Sequence, residues 1–244
     1  MIYFLIPSYN DSENYQNLFK NIKKAMFPKS YRILIVDDGS TDGTYKTVER
    51  LAKTFPVWRI GYRDNRGPGY AFRFGFNYLI PKLSSSDLVV TMEADNTSDF
   101  KILDEMINAS RNFDVVLASP YASDGKFVGI PFGRRILSFV ANRLDCLIFR
   151  IEGVRTYSSF YRVYRSSILR KVKEVYDDKF ITEDSFGVFV EFLIKLDLVG
   201  AKICEMPSTV DWGKKKGKSK MNIFKSTLRH FSLYIKSLSG RYNP

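Results

Sequence analysis

Two acidic residues, Glu93 and Asp95, flank Ala94 directly after the apolar run from Leu88 to Met92. Carboxylates at i and i+2 behind a strand end converge on one hard cation when the chain turns. Mg2+ or Mn2+ held this way bridges a diphosphate and neutralises a departing group. Two earlier apolar runs also give onto polar residues, in Pro7-Ser8-Tyr9-Asn10-Asp11 and in Val36-Asp37-Asp38-Gly39-Ser40. There Asp38 can accept from a base N–H, Tyr9 can flank a base, and Gly39 permits a tight turn, a set that suits a nucleoside. The segment from Asp37 to Gly43 reads equally well as a turn followed by a helix cap. Between these segments Arg63 to Ala71 forms a basic, glycine-containing turn running into a helix, so that Arg66 and the helix N-terminus can face phosphate. No Gly-Lys-Ser/Thr follows it, and the first strand lacks the dinucleotide glycine pattern, which sets aside NTPase and dehydrogenase chemistry.

Such residues work together only if a frame brings their strand ends to one edge. Ile2 to Ile6, Ile33 to Val36, Trp58 to Tyr62, Leu88 to Met92 and Val115 to Ala118 read as strands. Ser12 to Met26, Asp42 to Thr54, Gly69 to Leu79 and Asp99 to Ser110 have helical apolar spacing and polar starts. This βαβ order predicts an α/β domain, a mostly parallel central sheet flanked by helices, with ligands beyond the carboxyl ends of the strands. Further on, the sequence predicts helices at Arg134 to Phe149 and Phe186 to Leu196, a Tyr/Ser-rich segment at Tyr157 to Tyr164, and a strand at Lys202 to Glu205. A last amphipathic helix, Met221 to Leu238, carries Ile223, Phe224, Leu228, Phe231, Ile235 and Leu238 on one stripe. The chain thus divides into a domain over 1–212 and a basic segment over 213–244, packed on the domain or facing a membrane.

With 244 residues, 45% of them hydrophobic, the chain can bury one substantial core. Its net charge of +12 calls for an anionic partner: nucleic acid, a phosphate-bearing substrate or an anionic membrane surface. The charge is concentrated late, since no acidic residue follows Asp211 while Lys214, Lys215, Lys216, Lys218 and Lys220 do. No nucleic-acid-binding motif accompanies that run, and a phosphate-rich substrate accounts for it, so nucleic acid is not an expected partner. No stretch approaches the ~20 apolar residues that span a bilayer, because Glu191, Lys195 and Asp197 interrupt the longest candidate. Met1 to Pro7 lacks a basic leader and reads as a core strand rather than a secretory signal. Cys146 and Cys204 have no metal-ligand spacing and suit a reducing compartment, which gives a cytoplasmic expectation.

Together these segments resemble the family-2 inverting glycosyltransferases of GT-A fold, and in particular the dolichyl-phosphate mannose synthase branch, over nearly the whole chain. Pro7 to Asn10 and Val36 to Ser40 are similar to the family's opening motifs, Arg66 to Ala71 to its basic glycine turn, and Glu93-Ala94-Asp95 to its Asp-X-Asp metal motif. Arg135 to Asn142 resembles the branch's Arg-X-X-Ser-X-X-Ala-Asn helix, and Ser158 to Arg165 its Thr-Ser-Gly-Phe-Arg-X-Tyr-Arg segment. Phe189-Val190-Glu191, Glu205-Met206-Pro207 and Lys214 to Met221 complete the pattern in order. The chain departs from it at Glu93, where the family has Asp, and at Pro120, where it has a phosphate-binding Arg. Thr156 stands for an Asp and Lys214 for an Arg.

The resemblance implies a hexosyltransferase moving a mannose- or glucose-type sugar from a GDP- or UDP-sugar to a dolichyl or undecaprenyl phosphate. The enzyme would be peripheral on the cytoplasmic face of a membrane, with Mg2+ or Mn2+ as cofactor. It places Pro7, Tyr9, Asp11, Val36 and Asp38 around the nucleoside, and Glu93, Ala94 and Asp95 at the ribose, diphosphate and metal. Lys214 and Lys220 fall to the phosphates, with Glu93, Asp95 and Lys214 as the catalytic set. A polyprenyl phosphate is already anionic and needs no strong base, so the sole histidine, His230, is expected to be a surface residue. Transfer to a sugar hydroxyl in glycan assembly is the alternative. It needs a carboxylate base, for which Glu183, Asp184 and Glu191 are candidates, against simple roles as helix-start polarity and a buried ion pair. A catalytically weakened relative that only binds nucleotide sugar, and recruitment by a separate membrane protein, fit the same residues.

Overall fold

The computed structural model describes residues 1–214 and 223–243; the side chains of 223–230 and all of 215–222, Lys220 among them, lie outside the described residues. Strand β1 (Ile2–Ser8) is followed by α1 (Tyr15–Met26), β2 (Tyr31–Asp38), α2 (Thr44–Leu51), β3 (Val57–Tyr62), α3 (Pro68–Leu79), β4 (Leu88–Thr91), α4 (Leu103–Ala109) and β5 (Val115–Ser119). Then come β6 (Lys126–Val128), α5 (Phe132–Phe149), β7 (Arg162–Arg165), α6 (Ser166–Tyr176), α7 (Val188–Leu198), β8 (Ile203–Pro207), β9 (Thr209–Asp211) and α8 (Ile223–Leu238).

Seven strands form one sheet in the order β3-β2-β1-β4-β7-β5-β8, and β6 pairs with β9 in a small second sheet. All pairings in the main sheet are parallel except those of β7, which runs antiparallel to both β4 and β5. Side chains alternate across a strand, so Phe4 and Ile6 of β1 face one layer with Ile33 and Ile35, while Leu5 faces the other with Leu34 and Val36. Both layers are covered, the first by α1 and α4 and the second by α3, α6 and α7, which is why these strands read as unbroken apolar runs.

This is the α/β architecture that the sequence predicts, with β6, β7, β9 and α6 added. Strand β7 falls in the Tyr/Ser-rich segment, where Arg162 interrupts the apolar pattern. Its side chain is fully buried and donates to the carbonyls of Tyr157, Ser159 and Phe189 at 2.7–3.0 Å, so hydrogen bonds rather than apolar transfer make its burial tolerable. Helix α6 buries Ile168, Leu169, Val172 and Tyr176 along one side.

Helices α5 and α8 frame one side of the sheet's carboxyl edge. The only buried residues of α5 are polar, Asn142 and Asp145, whereas Phe132, Ile136, Phe139, Val140 and Leu147 are exposed. Helix α8 seats Leu233 and Tyr234 inward and leaves Phe231, Ile235 and Leu238 exposed. Part of the apolar stripe predicted for α8 therefore faces outward while a different side of the helix packs on the domain. Cys146 and Cys204 are both free.

Candidate active site

Pro7 pairs with Val36 and Ser8 with Asp37 where β1 and β2 end, and Leu5 pairs with Thr91 on β4. This register delivers the three polar strand ends to one edge, where they line a cavity of about 930 Å3. Pro7, Tyr9, Asp11, Asp38, Glu93, Ala94 and Asp95 all belong to its wall.

At the first end, the buried Asp38 carboxylate accepts from Arg66 N at 2.7 Å, Gly67 N at 2.9 Å and Asn65 Nδ2 at 2.9 Å. Burial pushes its pKa above the ordinary carboxylate value, against the pull of those amide donors. Asp38 thus fixes the Arg-Gly turn besides facing the cavity. The neighbouring Asp37 accepts from Ser40 N and Arg59 Nη1, each at 2.9 Å, and Asp42 accepts from Thr44 N at 3.1 Å at the start of α2. Both readings of this segment therefore hold, on different residues: Asp37 and Asp42 build the turn and cap, and Asp38 lines the site. Asn10, in the left-handed region at φ 52°, accepts from Thr41 N at 2.7 Å and stitches the two loops together.

Thr97, itself part of the cavity wall, contacts both acidic residues. Its backbone N–H donates to Asp95 Oδ1 at 3.1 Å, and its hydroxyl is 2.7 Å from Asp95 Oδ1 and 3.2 Å from Glu93 Oε2. The hydroxyl has one proton to donate, and the shorter contact gives it to Asp95; the two carboxylates are a hard oxygen donor set of the kind Mg2+ or Mn2+ takes, with phosphate and water oxygens completing the shell. Among the described residues no group of three or more His, Cys, Asp or Glu is placed to hold a metal ion.

The structure adds Arg134, beside the Arg135 that opens the resembled helix motif, to the residues of the site. Arg134 and Arg135, in the first turn of α5, line the same cavity. The Arg134 guanidinium stacks 4.4 Å over the Trp212 ring; burial lowers its pKa and the charge of Glu93 opposes that shift. Pro120, where the resembled pattern has an arginine, also lines the cavity, so a guanidinium reaches it from a different element. The sequence signal was the Arg-Arg pair opening an amphipathic helix, and only the tertiary fold shows which way it faces.

Three expected residues lie elsewhere. The Val36 side chain is a core residue against α3, where a Cβ on Gly75 would come within 2.7 Å of its Cγ2. The Arg66 guanidinium stacks 4.7 Å over the Tyr70 ring, outside the cavity wall. Lys214 is exposed, 3.8 Å from Asp211, and does not line the cavity. Lys220 and the His230 side chain lie outside the described residues. The three carboxylates considered as bases are also off the cavity wall: Glu183 pairs with Lys236, Asp184 with Arg73 at 3.0 Å, and Glu191 with Lys195 at 2.7 Å. Glu191 is the buried ion pair that its position in an apolar helix allowed.

The same wall also carries apolar side chains, among them Leu137, Val140 and Leu144 of α5, Phe160, Phe189 and Phe231. One cavity therefore combines carboxylates, guanidinium groups and a hydrophobic lining.

Residues 3–173 match the model of Glycosyl transferase family 2. The chain belongs to this family. Among curated relatives it is 30% identical over 207 residues to a dolichol-phosphate mannosyltransferase of Pyrococcus furiosus, covering 84% of this chain and 55% of that protein. It is 27% identical over 206 residues to an undecaprenyl-phosphate mannosyltransferase of Micrococcus luteus, covering 84% of this chain and 81% of that protein. The chain thus spans just over half the length of the Pyrococcus relative. In fold, this family member is similar to the crystal structure of glucosyl-3-phosphoglycerate synthase from Mycobacterium tuberculosis in complex with Mn2+, UDP and glucosyl-3-phosphoglycerate. The match has a TM-score of 0.67 at 16% identity and covers all of this chain and 81% of that one. Among the described residues no helix is long and apolar enough to cross a membrane.

Proposed function

We propose that this family-2 chain transfers a hexose from a nucleoside-diphosphate sugar to a polyprenyl phosphate at a membrane surface. The observation that carries this reading is the mixed lining of one cavity. Its carboxylates suit a nucleotide sugar with a divalent cation, and its apolar side chains suit a lipid acceptor. The names of the Pyrococcus and Micrococcus relatives supply the acceptor class and a mannosyl donor.

The mechanism then rests on alignment and charge. Pro7, Tyr9, Asp11 and Asp38 receive the nucleoside, and Asp38 keeps the Arg66-Gly67 turn in place. Glu93 and Asp95 would hold Mg2+ or Mn2+, which when bound neutralises the diphosphate leaving group. Arg134 and Arg135 line the same cavity, where their positive charge would draw the acceptor phosphate in and offset repulsion between the two anions. Because that phosphate is ionised at neutral pH, attack needs no general base. The engagement of Glu183, Asp184 and Glu191 in ion pairs away from the cavity weighs against a hydroxyl acceptor.

The outward faces of α5 and α8 supply the membrane contact. Phe132, Leu147, Ile235 and Leu238 are 67–80% exposed beside Arg143 and Arg150, a combination suited to an anionic lipid surface. A net charge of +12 suits the anionic cytoplasmic face of a membrane.

The test is transfer from labelled GDP- and UDP-hexoses to a short polyprenyl phosphate in detergent, with Mn2+ or Mg2+. Acid-labile label in the lipid phase that disappears in Asp95→Ala is the expected result. Nucleotide binding without lipid product from any donor would overturn the acceptor assignment.

A further inference from the structure

The glycine turn that Asp38 holds is gripped on its other side by a segment that belongs to no strand or helix. Gly69 N donates to the Asp184 carbonyl at 3.0 Å. A Cβ on Gly69 would lie 1.8 Å from the Glu183 carbonyl oxygen, and one on Gly67 2.4 Å from that of Asp184. The floor of the turn is therefore the backbone of 183–184, at contact distances that only glycine permits. That backbone has two supports. From within the domain, the fully buried Glu191 carboxylate accepts from Thr182 N at 2.9 Å and Glu183 N at 2.8 Å. From α8, Lys236 forms an ion pair with Glu183, itself 9% exposed, and the fully buried Leu233 lies where a Cβ on Gly187 would be 3.2 Å from its Cδ1.

From these contacts we infer that α8 is a positioning element for the donor site. By seating Lys236 and Leu233 on segment 183–187, it holds the floor against which Gly67 and Gly69 are set, and so sets the affinity for the nucleoside diphosphate. The inference rests on the proposed donor class. Lys236 touches no substrate; it acts through Glu183 and the glycine turn. Two further contacts keep α8 and the chain after it seated when that pair is removed: Tyr234 Oη donates to Asp145 Oδ1 of α5 at 3.0 Å, and Tyr176 Oη donates to the Tyr242 carbonyl at 2.6 Å.

The experiment is titration calorimetry of GDP and of UDP, each with Mn2+, into wild type, Lys236→Met, Lys236→Arg and Glu183→Gln, with thermal melts alongside. Losing a charge-assisted contact of this kind predicts a Kd about tenfold weaker in Lys236→Met and in Glu183→Gln. Lys236→Arg should return to within about threefold of wild type, with melting points close together across the set. Wild-type affinity in both Lys236→Met and Glu183→Gln would overturn the inference and leave the donor reading standing. So would a loss of affinity that only tracks loss of melting temperature. Failure of wild type itself to bind either nucleotide would overturn the donor reading, and the inference with it.

Discussion

The Thr97 hydroxyl lies between two carboxylates, 2.7 Å from Asp95 and 3.2 Å from Glu93. The acidic pair is thereby held by a side chain that sequence spacing alone would not single out. Thr97→Val keeps the shape and removes that hydroxyl. Orienting partners of this sort are worth about 10- to 100-fold in metal affinity. The Mn2+ concentration for half-maximal transfer should rise by at least about tenfold, while maximal rate at saturating Mn2+ stays closer to wild type. An unchanged Mn2+ titration would show that the pair needs no such support.

Asp38 accepts from three donors at once, and an amide in its place turns an N–H group toward at least one of them. Asp38→Asn should therefore cost about 1–3 kcal/mol in urea unfolding. Nucleoside diphosphate affinity should fall together with it. Loss of affinity at full stability would instead mean that the carboxylate acts mainly on the nucleotide and little on the Arg66-Gly67 turn.

Arg134 offers a planar, bidentate guanidinium to an anion that enters the cavity. Arg134→Ala is expected to lower kcat/KM by more than about tenfold, and Arg134→Lys to recover only part of it, because the ammonium keeps the charge without the fork. Steady-state kinetics with varied acceptor at fixed donor measures this. Equal activity of Ala and wild type would remove Arg134 from the mechanism.

Glu205 accepts from Arg155 N at 2.7 Å and from Thr156 N, yet burial outweighs these bonds and raises its pKa. A carboxyl group whose folded pKa exceeds its unfolded one takes up a proton on folding in the window between them. Its contribution to stability therefore grows as pH falls through the raised folded value toward the ordinary carboxylate range. The unfolding free energy of wild type minus that of Glu205→Gln should accordingly increase from pH 7 to pH 5. A flat or opposite trend in paired urea melts would refute the assignment.

On the membrane side, Phe132→Ser combined with Leu147→Ser removes two of the most exposed apolar side chains of α5. Flotation with vesicles containing anionic lipid should show binding reduced several-fold, with the melting temperature unchanged. Undiminished flotation would place the lipid contact elsewhere.

The first half of the fold was legible because its strands are buried on both faces and its helices are amphipathic, so Ile2 to Ile6 and Ser12 to Met26 each showed their own period. The βαβ order then dictated that the ends after Ile6, Val36 and Met92 would meet, as they do. Strand β7 was not legible, because the residue that anchors it, Arg162, is charged and its burial depends on carbonyls contributed by distant segments. Arg134 and Lys214 show the same limit from both sides. Each is a cation near the site in the chain, and only the packing of α5 against Trp212 puts the first in the cavity and leaves the second exposed. Helix α8 was recognised by its stripe, but its grip on Glu183 depends on Lys236, a residue that reads as ordinary surface charge.

The position of β7 also orders the making of the protein. Strands β1 to β4 can pair as soon as residue 91 has left the ribosome, since each pairs with β1 or β2. Strand β5, though synthesised next, has no partner in that sheet until Arg162–Arg165 arrives to lie between it and β4. For the length of chain between residues 91 and 162, a nascent molecule carries β4 as an uncovered apolar edge, the kind of edge that recruits other chains. A slow stretch of translation, or a truncation, in that interval would expose the protein to aggregation, whereas a pause after residue 165 would find the sheet's centre already closed.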